Sequence, residues 1–369
     1  MKSKSRLAIL SLVVAIVMFG AVLSPALQVN AQSNQCFGLS SDDCALANGT
    51  SQPGAMQKLT SFNMAYQLTF SGNGPQGNTA DFSVKGSGPF AVDATGVNSL
   101  SNGDMNAVAK LTMANTLSWS STTDGQTKTG NFEFRIVNGT LYFQGDNATQ
   151  GKWKSVDLQQ AARSRNFGSM GRGMFGQSAN PAQMLAMLGA LHKLADTPGF
   201  ISAERTADTT VEGQQVATFV YHFDVQKLLT SPNFATFLKT IGSQNPRLQN
   251  LSDRQIQAML GGVSAALQNS QISITRQIGV TDKLPHGFGV DVVLNVDPKV
   301  MAGMMAMMPS SNATQAAEVM PVKANLHFLV TLTGIGNKVT VEVPAGATPV
   351  DLNSTSPEGG ATAEPTAAS

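Results

Sequence analysis

The chain has 369 residues, of which 42% are hydrophobic and only 13% charged, with a formal net charge of +1. The charged share is about half of the usual 25%, and 24 Lys and Arg stand against 23 Asp and Glu, which excludes a basic track for nucleic acid and an acidic face for cations. Ser, Thr, Asn, Gln and Gly carry the surface polarity instead.

In chain order, Lys2, Lys4 and Arg6 precede an apolar run from Leu7 to Leu23, and Val29-Asn30-Ala31 supplies small residues for cleavage before Gln32. Residues 1–31 are therefore expected to be an export signal, which places the protein outside the cytoplasm, secreted or attached to the outer face of the cytoplasmic membrane. The apolar run is 17 residues long, at the lower limit for spanning a bilayer, so an uncleaved anchor is the alternative. The next segment, 32–55, holds the only two cysteines, Cys36 and Cys44, in CFGLSSDDC. Two neighbouring thiols in an oxidising compartment pair, and a small disulfide loop is expected. Lipidation of Cys36 is the other reading, but Ser33-Asn34-Gln35 lacks the Leu and small residues of a lipobox.

From about Met56 to Trp153 the dominant period is two, with Gly, Asn and Asp clusters between runs, as in successive antiparallel strands. In NFEFRIVNGTLYFQG, Asn138-Gly139 is a two-residue type I′ turn signal. It predicts Ile136 opposite Leu141 and Phe134 opposite Phe143 on one face, with Arg135 and Tyr142 on the other. From about Asp157 to Ala195 the period moves toward 3.6: Asn180-Pro181 caps a helix in which Met184, Leu188, Leu191 and Ala195 form a stripe. Strands are expected again over Phe200 to Glu212 and Gln215 to Phe223, joined at Glu212-Gly213. Helices follow around Val225 to Ile241 and Ser252 to Leu267. In the second of these, Ser252 and Gln255 form a capping-box pattern, and Ile256, Met259, Leu260, Val263 and Leu267 make the apolar stripe. Alternation then returns through Ile272, Ile274, Ile278 and Val280. After an expected turn at LPHG it continues through Phe288, Val290, Val292, Leu294 and Val296, then Leu326 to Leu332, and finally Val339, Val341 and Val343. Ten to twelve strands with about three helices between strand runs make an α+β pattern, in which helices cover one face of a strongly curved antiparallel sheet. Beyond about Asn353 a tail of Ser, Thr, Pro, Gly and Ala with two Glu is expected to be disordered.

The order of these pieces resembles a known family. A hairpin of the form RIVNGTLYFQGDNATQGKWKSVDL precedes a helical insertion, and the strand pair VEGQQVATFVYHFDV leads into further helices. The hairpin TRQIGVTDKLPHGFGVDVVL comes next, and VTVEVPAGATPVDL closes the chain. In this order, over about Gln57 to Leu352, the sequence is similar to the LolA-like superfamily, especially the LppX/LprG-type lipoproteins that carry lipids outside the cytoplasmic membrane. The resemblance implies one lipid-binding domain over 56–352, a half-barrel antiparallel sheet with helices packed on its concave face, and an apolar cavity for acyl chains. The missing lipobox departs from many relatives and puts tethering through Cys36 in doubt.

No residues assemble into a recognisable catalytic or metal motif. His192, His222, His286 and His327 are far apart, with no ligand spacing such as H-E-x-x-H, and no G-x-S-x-G elbow is present. Gly171 to Gly176 matches G-x-G-x-x-G, but no apolar strand precedes it, and the stretch reads as a Gly-rich loop that is either a connector or a flap over a cavity mouth. Neither catalytic residues nor a cofactor nor a metal is expected. The run MAGMMAMMPSS from Met301 places Met301, Met304, Met305 and Met308 at helical spacing before Pro309. Its thioethers read first as the buried stripe of a short helix and next as a flexible apolar surface for a ligand, with soft ligation of Cu(I) last because no His or free Cys is near. The expected site is a lipid or acyl-chain cavity lined by Met184, Leu188, Leu191, Met259, Leu260 and Val263, with Met304 and Met308 opposite Phe132, Phe134 and Phe143. The expected function is a non-enzymatic carrier of a lipid or other hydrophobic ligand that makes transient membrane contact. The alternative is a cell-envelope interaction module with a fully packed core.

Overall fold

The computed structural model describes residues 36–49, 59–73, 79–93, 110–123, 125–146, 149–163, 197–234, 236, 253–297 and 322–350. The strands are β1 (Ser61–Asn73), β2 (Thr79–Val92), β3 (Leu111–Thr123), β4 (Gln126–Val137), β5 (Thr140–Gly145), β6 (Lys154–Asp157) and β7 (Ile201–Arg205). They continue with β8 (Thr209–Val211), β9 (Gln214–Phe223), β10 (Gln271–Gly279), β11 (Pro285–Val296), β12 (Val322–Thr333) and β13 (Thr348–Pro349). The helices are α1 (Ser41–Gly49), α2 (Leu158–Arg163), α3 (Val225–Leu229) and α4 (Asp253–Ala266).

All 13 strands form one large, open, curved sheet in the order β13-β6-β5-β4-β3-β2-β1-β12-β11-β10-β9-β7, with β8 also paired to β9. This is the α+β architecture expected from the alternation. Every pairing is antiparallel except β13 with β6. Hairpins build the two halves, and β1 joins them by pairing with β12, placing Leu68 opposite Phe328 and Tyr66 opposite Val330.

The Asn138-Gly139 turn sets the predicted register, with φ of 49° and 76°, so that Phe134 faces Phe143 and Ile136 faces Leu141. Glu212 and Gly213 make the second such turn, with φ of 50° and 80°. The single strand expected over Phe200 to Glu212 is instead two edge strands, β7 and β8, laid along β9. The break falls at residues 206–208, where Asp208 turns back to accept from Arg205 Nε at 3.0 Å and Nη2 at 2.7 Å.

Two other expectations are corrected. The LPHG stretch is mostly strand, since β11 begins at Pro285 and the reversal lies at residues 280–284. Lys283 takes φ 61°, and the Asp282 carboxylate closes the turn by accepting from the Leu284 N–H at 2.9 Å and meeting His286 Nε2 at 2.9 Å. Val339 to Val343 joins no ladder. Gly334 and Gly336, with φ of 59° and 83°, turn the chain away after β12, and Arg135 Nη1 donates to Glu342 O at 2.9 Å. This segment carries the chain from the middle of the sheet to its edge, where Thr348 pairs with Lys154 and Pro349 with Ser155.

The Cys36–Cys44 disulfide is present and ties residues 36–40 to α1. Ser40 caps that helix, accepting from the Asp43 N–H at 3.2 Å while its hydroxyl donates to Asp43 Oδ2 at 2.8 Å, so one of the helix's orphan donors is satisfied. Leu46 and Ala47 then pack on Ala217, Phe219 and Ile278 of β9 and β10. Arg205 clamps the contact from outside by donating to Asp43 Oδ1 at 2.7 Å. The expected signal, the helix with its stripe from Met184, the Gly-rich loop, the Met run and the tail beyond Asn353 lie outside the described residues. Among the described residues no helix is long and apolar enough to cross a membrane.

Candidate functional site

Strand alternation sorts side chains to two faces, and in this sheet the two faces differ sharply. On one side of β1 stand Phe62, Met64, Tyr66, Leu68 and Phe70; on the other stand Asn63, Gln67, Thr69 and Ser71. Register propagates the first set across the sheet. Leu68 faces Val84 on β2, Val84 faces Trp119 on β3, and Leu117 faces Phe132 on β4. On the other flank Phe328 faces Val290 of β11, which faces Ile274 of β10.

The centre of this face is buried: Tyr66, Leu68, Val84, Leu117 and Phe328 form one cluster. Around it Met64, Phe82, Trp119, Phe132, Phe134, Phe288, Val290, Leu326 and Val330 are only half-buried, and no member of the cluster is charged. Half-exposed large apolar side chains over this many adjacent strands form a patch of the kind that marks a binding surface.

Three glycines shape the face. Tyr66 pairs directly with Gly86, Trp119 with Gly130 and Phe132 with Gly145. Each ring lies over its glycine: a Cβ on Gly86 would come within 2.4 Å of Tyr66 Cζ, one on Gly130 within 2.8 Å of Trp119 Nε1, and one on Gly145 within 2.9 Å of Phe132 Cδ2. Rings laid down over missing side chains pave the sheet instead of standing up from it, leaving a smooth aromatic floor. Phe132 continues this paving toward Phe134 and Phe143, with centroid distances of 6.2 and 6.3 Å.

One polar group is built into the floor. The Tyr66 hydroxyl donates to Asn115 Oδ1 at 2.8 Å, and Asn115, 1% exposed, keeps Nδ2 without a partner among the described residues. Burial pushes the Tyr66 phenol up to about 12, because the ionised form loses its hydration there.

At the β9–β10 end the same face is filled by protein. The segment with α1 lies against Tyr221, Phe223, Ile274 and Arg276, and the space left is about 30 Å³. Among the described residues, no such covering segment lies over β1 to β5 and β11 to β12.

Of the residues expected to line a site, Phe132, Phe134 and Phe143 lie together on the floor. Leu260 and Val263 pack elsewhere, in a cluster with Leu229, Val225, Phe234 and Leu267 contributed by α3, α4 and the residues beside them. Gln226 of α3 joins the two helices through Nε2 to the Ser264 carbonyl at 2.8 Å. Met259 is on α4, but its side chain lies outside the described residues, as do Met184, Leu188, Leu191, Met304 and Met308. Tyr66, Trp119, Phe288, Val290 and Leu326 were not expected as site residues. The signal for them was present, as alternation in NMAYQLTF and LTMANTLSW that continues the Phe132 face once the strands are paired.

No protein-family model and no curated protein sequence matches the chain. The chain is similar to two solved mycobacterial structures. They are LprF from Mycobacterium bovis, at 13% identity over 83% of this chain and 97% of that one, and the lipoprotein LppX from Mycobacterium tuberculosis, at 11% over 82% and 100%. Both have a TM-score of 0.29, and both are of the LppX/LprG type that the order of sequence elements resembles. An S-type phycobiliprotein lyase from Guillardia theta follows at 7% identity over 75% of this chain and 88% of that one, with a TM-score of 0.14. At these values the likeness says nothing of what this chain binds.

The three histidines in the described residues each meet a carboxylate: His222 with Glu204 at 3.3 Å, His286 with Asp282 at 2.9 Å and His327 with Asp291 at 2.5 Å. Among the described residues no group of three or more His, Cys, Asp or Glu is placed to hold a metal ion.

Proposed function

We propose that the protein binds the acyl chains of a lipid on the aromatic floor of its sheet and carries them outside the cytoplasm, without chemistry on the ligand. The observation that carries this reading is the uncharged, half-buried face around Tyr66, Leu68, Val84, Leu117 and Phe328. A long acyl chain has no polar group to satisfy along its length, so a paved, uncharged floor suits it. Each methylene withdrawn from water contributes about 0.8 kcal/mol, which makes a charged anchor unnecessary. The export signal read from residues 1–31 and the Met-rich segment from Met301 fit the same role, the first by placing the protein beside membranes and the second by supplying adaptable apolar side chains.

Native mass spectrometry of the purified protein, followed by organic extraction, tests this. A bound lipid, or stoichiometric uptake of added fatty acid or phospholipid, is expected. A Phe134→Asp variant that folds should lose it, because a carboxylate in the floor would have to be desolvated under the chain. Reproducible absence of lipid with no uptake would leave the packed-core interaction module as the better reading.

A further inference from the structure

The face opposite the aromatic floor is polar, yet it is not flat. Strands β3, β2, β1, β12 and β11 together line a cavity of about 330 Å³ on that side, at the lower end of the range of about 300–1,000 Å³ for small-molecule sites. Register draws a row of side chains across it: Ser83 opposite Thr69, Thr69 opposite His327, and His327 opposite Asp291. His327 Nδ1 is 2.5 Å from Asp291 Oδ1, which orients the ring, and both side chains are 45% exposed. Beside this row lie Asp81 and Val293, and Val293 is 40% exposed at a position where β11 otherwise turns Gly, Asp and Asn to this side.

We propose that this cavity binds a saccharide. A sugar ring presents hydroxyls that donate and accept around its edge and an apolar C–H face across it. The lining offers both complements. Asp81 and Asp291 accept from hydroxyls, Ser83 and Thr69 do either, and with Nδ1 held by Asp291 the other nitrogen of His327 is left for a ligand. Val293 supplies the apolar spot for the C–H face. The described lining holds no Lys or Arg, so a phosphate or carboxylate would meet uncompensated acceptors, and a neutral polyol suits the cavity better. Most of the lining belongs to positions on the side of the sheet opposite the lipid floor, and Phe70, Phe82, Val292 and Leu326, whose positions belong to the floor side, border the cavity as well.

Saturation-transfer NMR on the purified full chain tests the proposal, with methyl glucoside, methyl mannoside, methyl galactoside and maltose as free probes. A second arm uses phosphatidylcholine vesicles with and without a monoglucosyl diacylglycerol. Binding of a free sugar would identify a soluble saccharide as the ligand, and binding only to the glycolipid vesicles would identify a headgroup. In either case Asp81→Ala and Val293→Arg, both at surface positions, should weaken binding about tenfold or more, as loss of one hydrogen bond to a charged group would, with unchanged thermal stability. No binding in either arm, or binding that both variants leave intact, overturns the site.

Discussion

Tyr66 and Gly86 face each other across β1 and β2, and the tyrosine ring occupies the space that any larger residue at position 86 would need, within 2.4 Å of where its Cβ would be. The glycine thereby lets the phenol lie down and reach Asn115 Oδ1 at 2.8 Å. Gly86→Ala should destabilise the protein by about 1–3 kcal/mol, the usual cost of overpacking. Tyr66→Phe, which leaves a buried Asn115 acceptor unsatisfied, should cost a similar amount. Urea unfolding measures both, and a Gly86→Ala variant as stable as the parent would show that the ring moves aside freely.

The same burial makes a pH prediction. The Tyr66 phenol ionises at about 12 in the folded protein and near 10 in the unfolded chain. Between these values the unfolded state has lost the proton and the native state still holds it. The contribution is thus complete below about pH 10 and is lost as pH rises toward about 12. An ultraviolet titration should show a late step from the Tyr66 phenol, and that step should be missing in Tyr66→Phe. A titration that keeps the late step would place the buried phenol elsewhere.

Arg205 holds α1 to the sheet edge through Asp43, at 2.7 Å, and also bonds Asp208. Its guanidinium holds both carboxyls below the usual range, chiefly by hydrogen bonding. Their contribution is therefore present above the unfolded carboxyl value of about 4 and disappears as pH falls through the lower folded values. The side chains are 20–32% exposed, so the pairs contribute modestly, about 1 kcal/mol or less, and less in high salt. The disulfide should matter more, typically about 2–4 kcal/mol. Hydrogen exchange should show α1 amides losing protection in the double variant Cys36→Ala, Cys44→Ala and, to a smaller degree, in Arg205→Ala. The amides of β1 to β5 should be unchanged, and loss of their protection would mean that α1 is part of one cooperative unit with them.

Tryptophan fluorescence reads the lipid proposal residue by residue. Of the two tryptophans, Trp119 lies on the floor, whereas Trp153 stacks under the Arg135 guanidinium at 5.0 Å. Added fatty acid should shift the emission to the blue in the parent and in Trp153→Phe, and the shift should vanish in Trp119→Phe. A response carried by Trp153 would move the ligand off the proposed face.

Where neighbouring positions settle a feature, the sequence revealed it. The hairpin at Asn138-Gly139 needs only two residues of positive φ and the alternation beside them, and so the pairing of Phe134 with Phe143 was legible. Cys36 and Cys44 are eight positions apart, close enough for pairing to be expected before any fold was known. Val339 to Val343 misled for the complementary reason: alternation reports a two-sided environment and not a partner strand, and Gly334 with Gly336 turned that segment off the sheet.

By itself, then, the sequence determined the α+β class, the alternation of most strands, one hairpin register and the polar and apolar sides of that hairpin, because all of these follow from backbone geometry over a few residues. Only the tertiary structure decided that β1 lies beside β12, that rings of Tyr66, Trp119 and Phe132 lie over Gly86, Gly130 and Gly145, and that His327 meets Asp291 beside a cavity of mixed lining. A glycine inside a strand reads locally as a bulge or a weakness. It becomes a site for a ring only when another strand, chosen by the closure of the whole sheet, brings an aromatic side chain opposite.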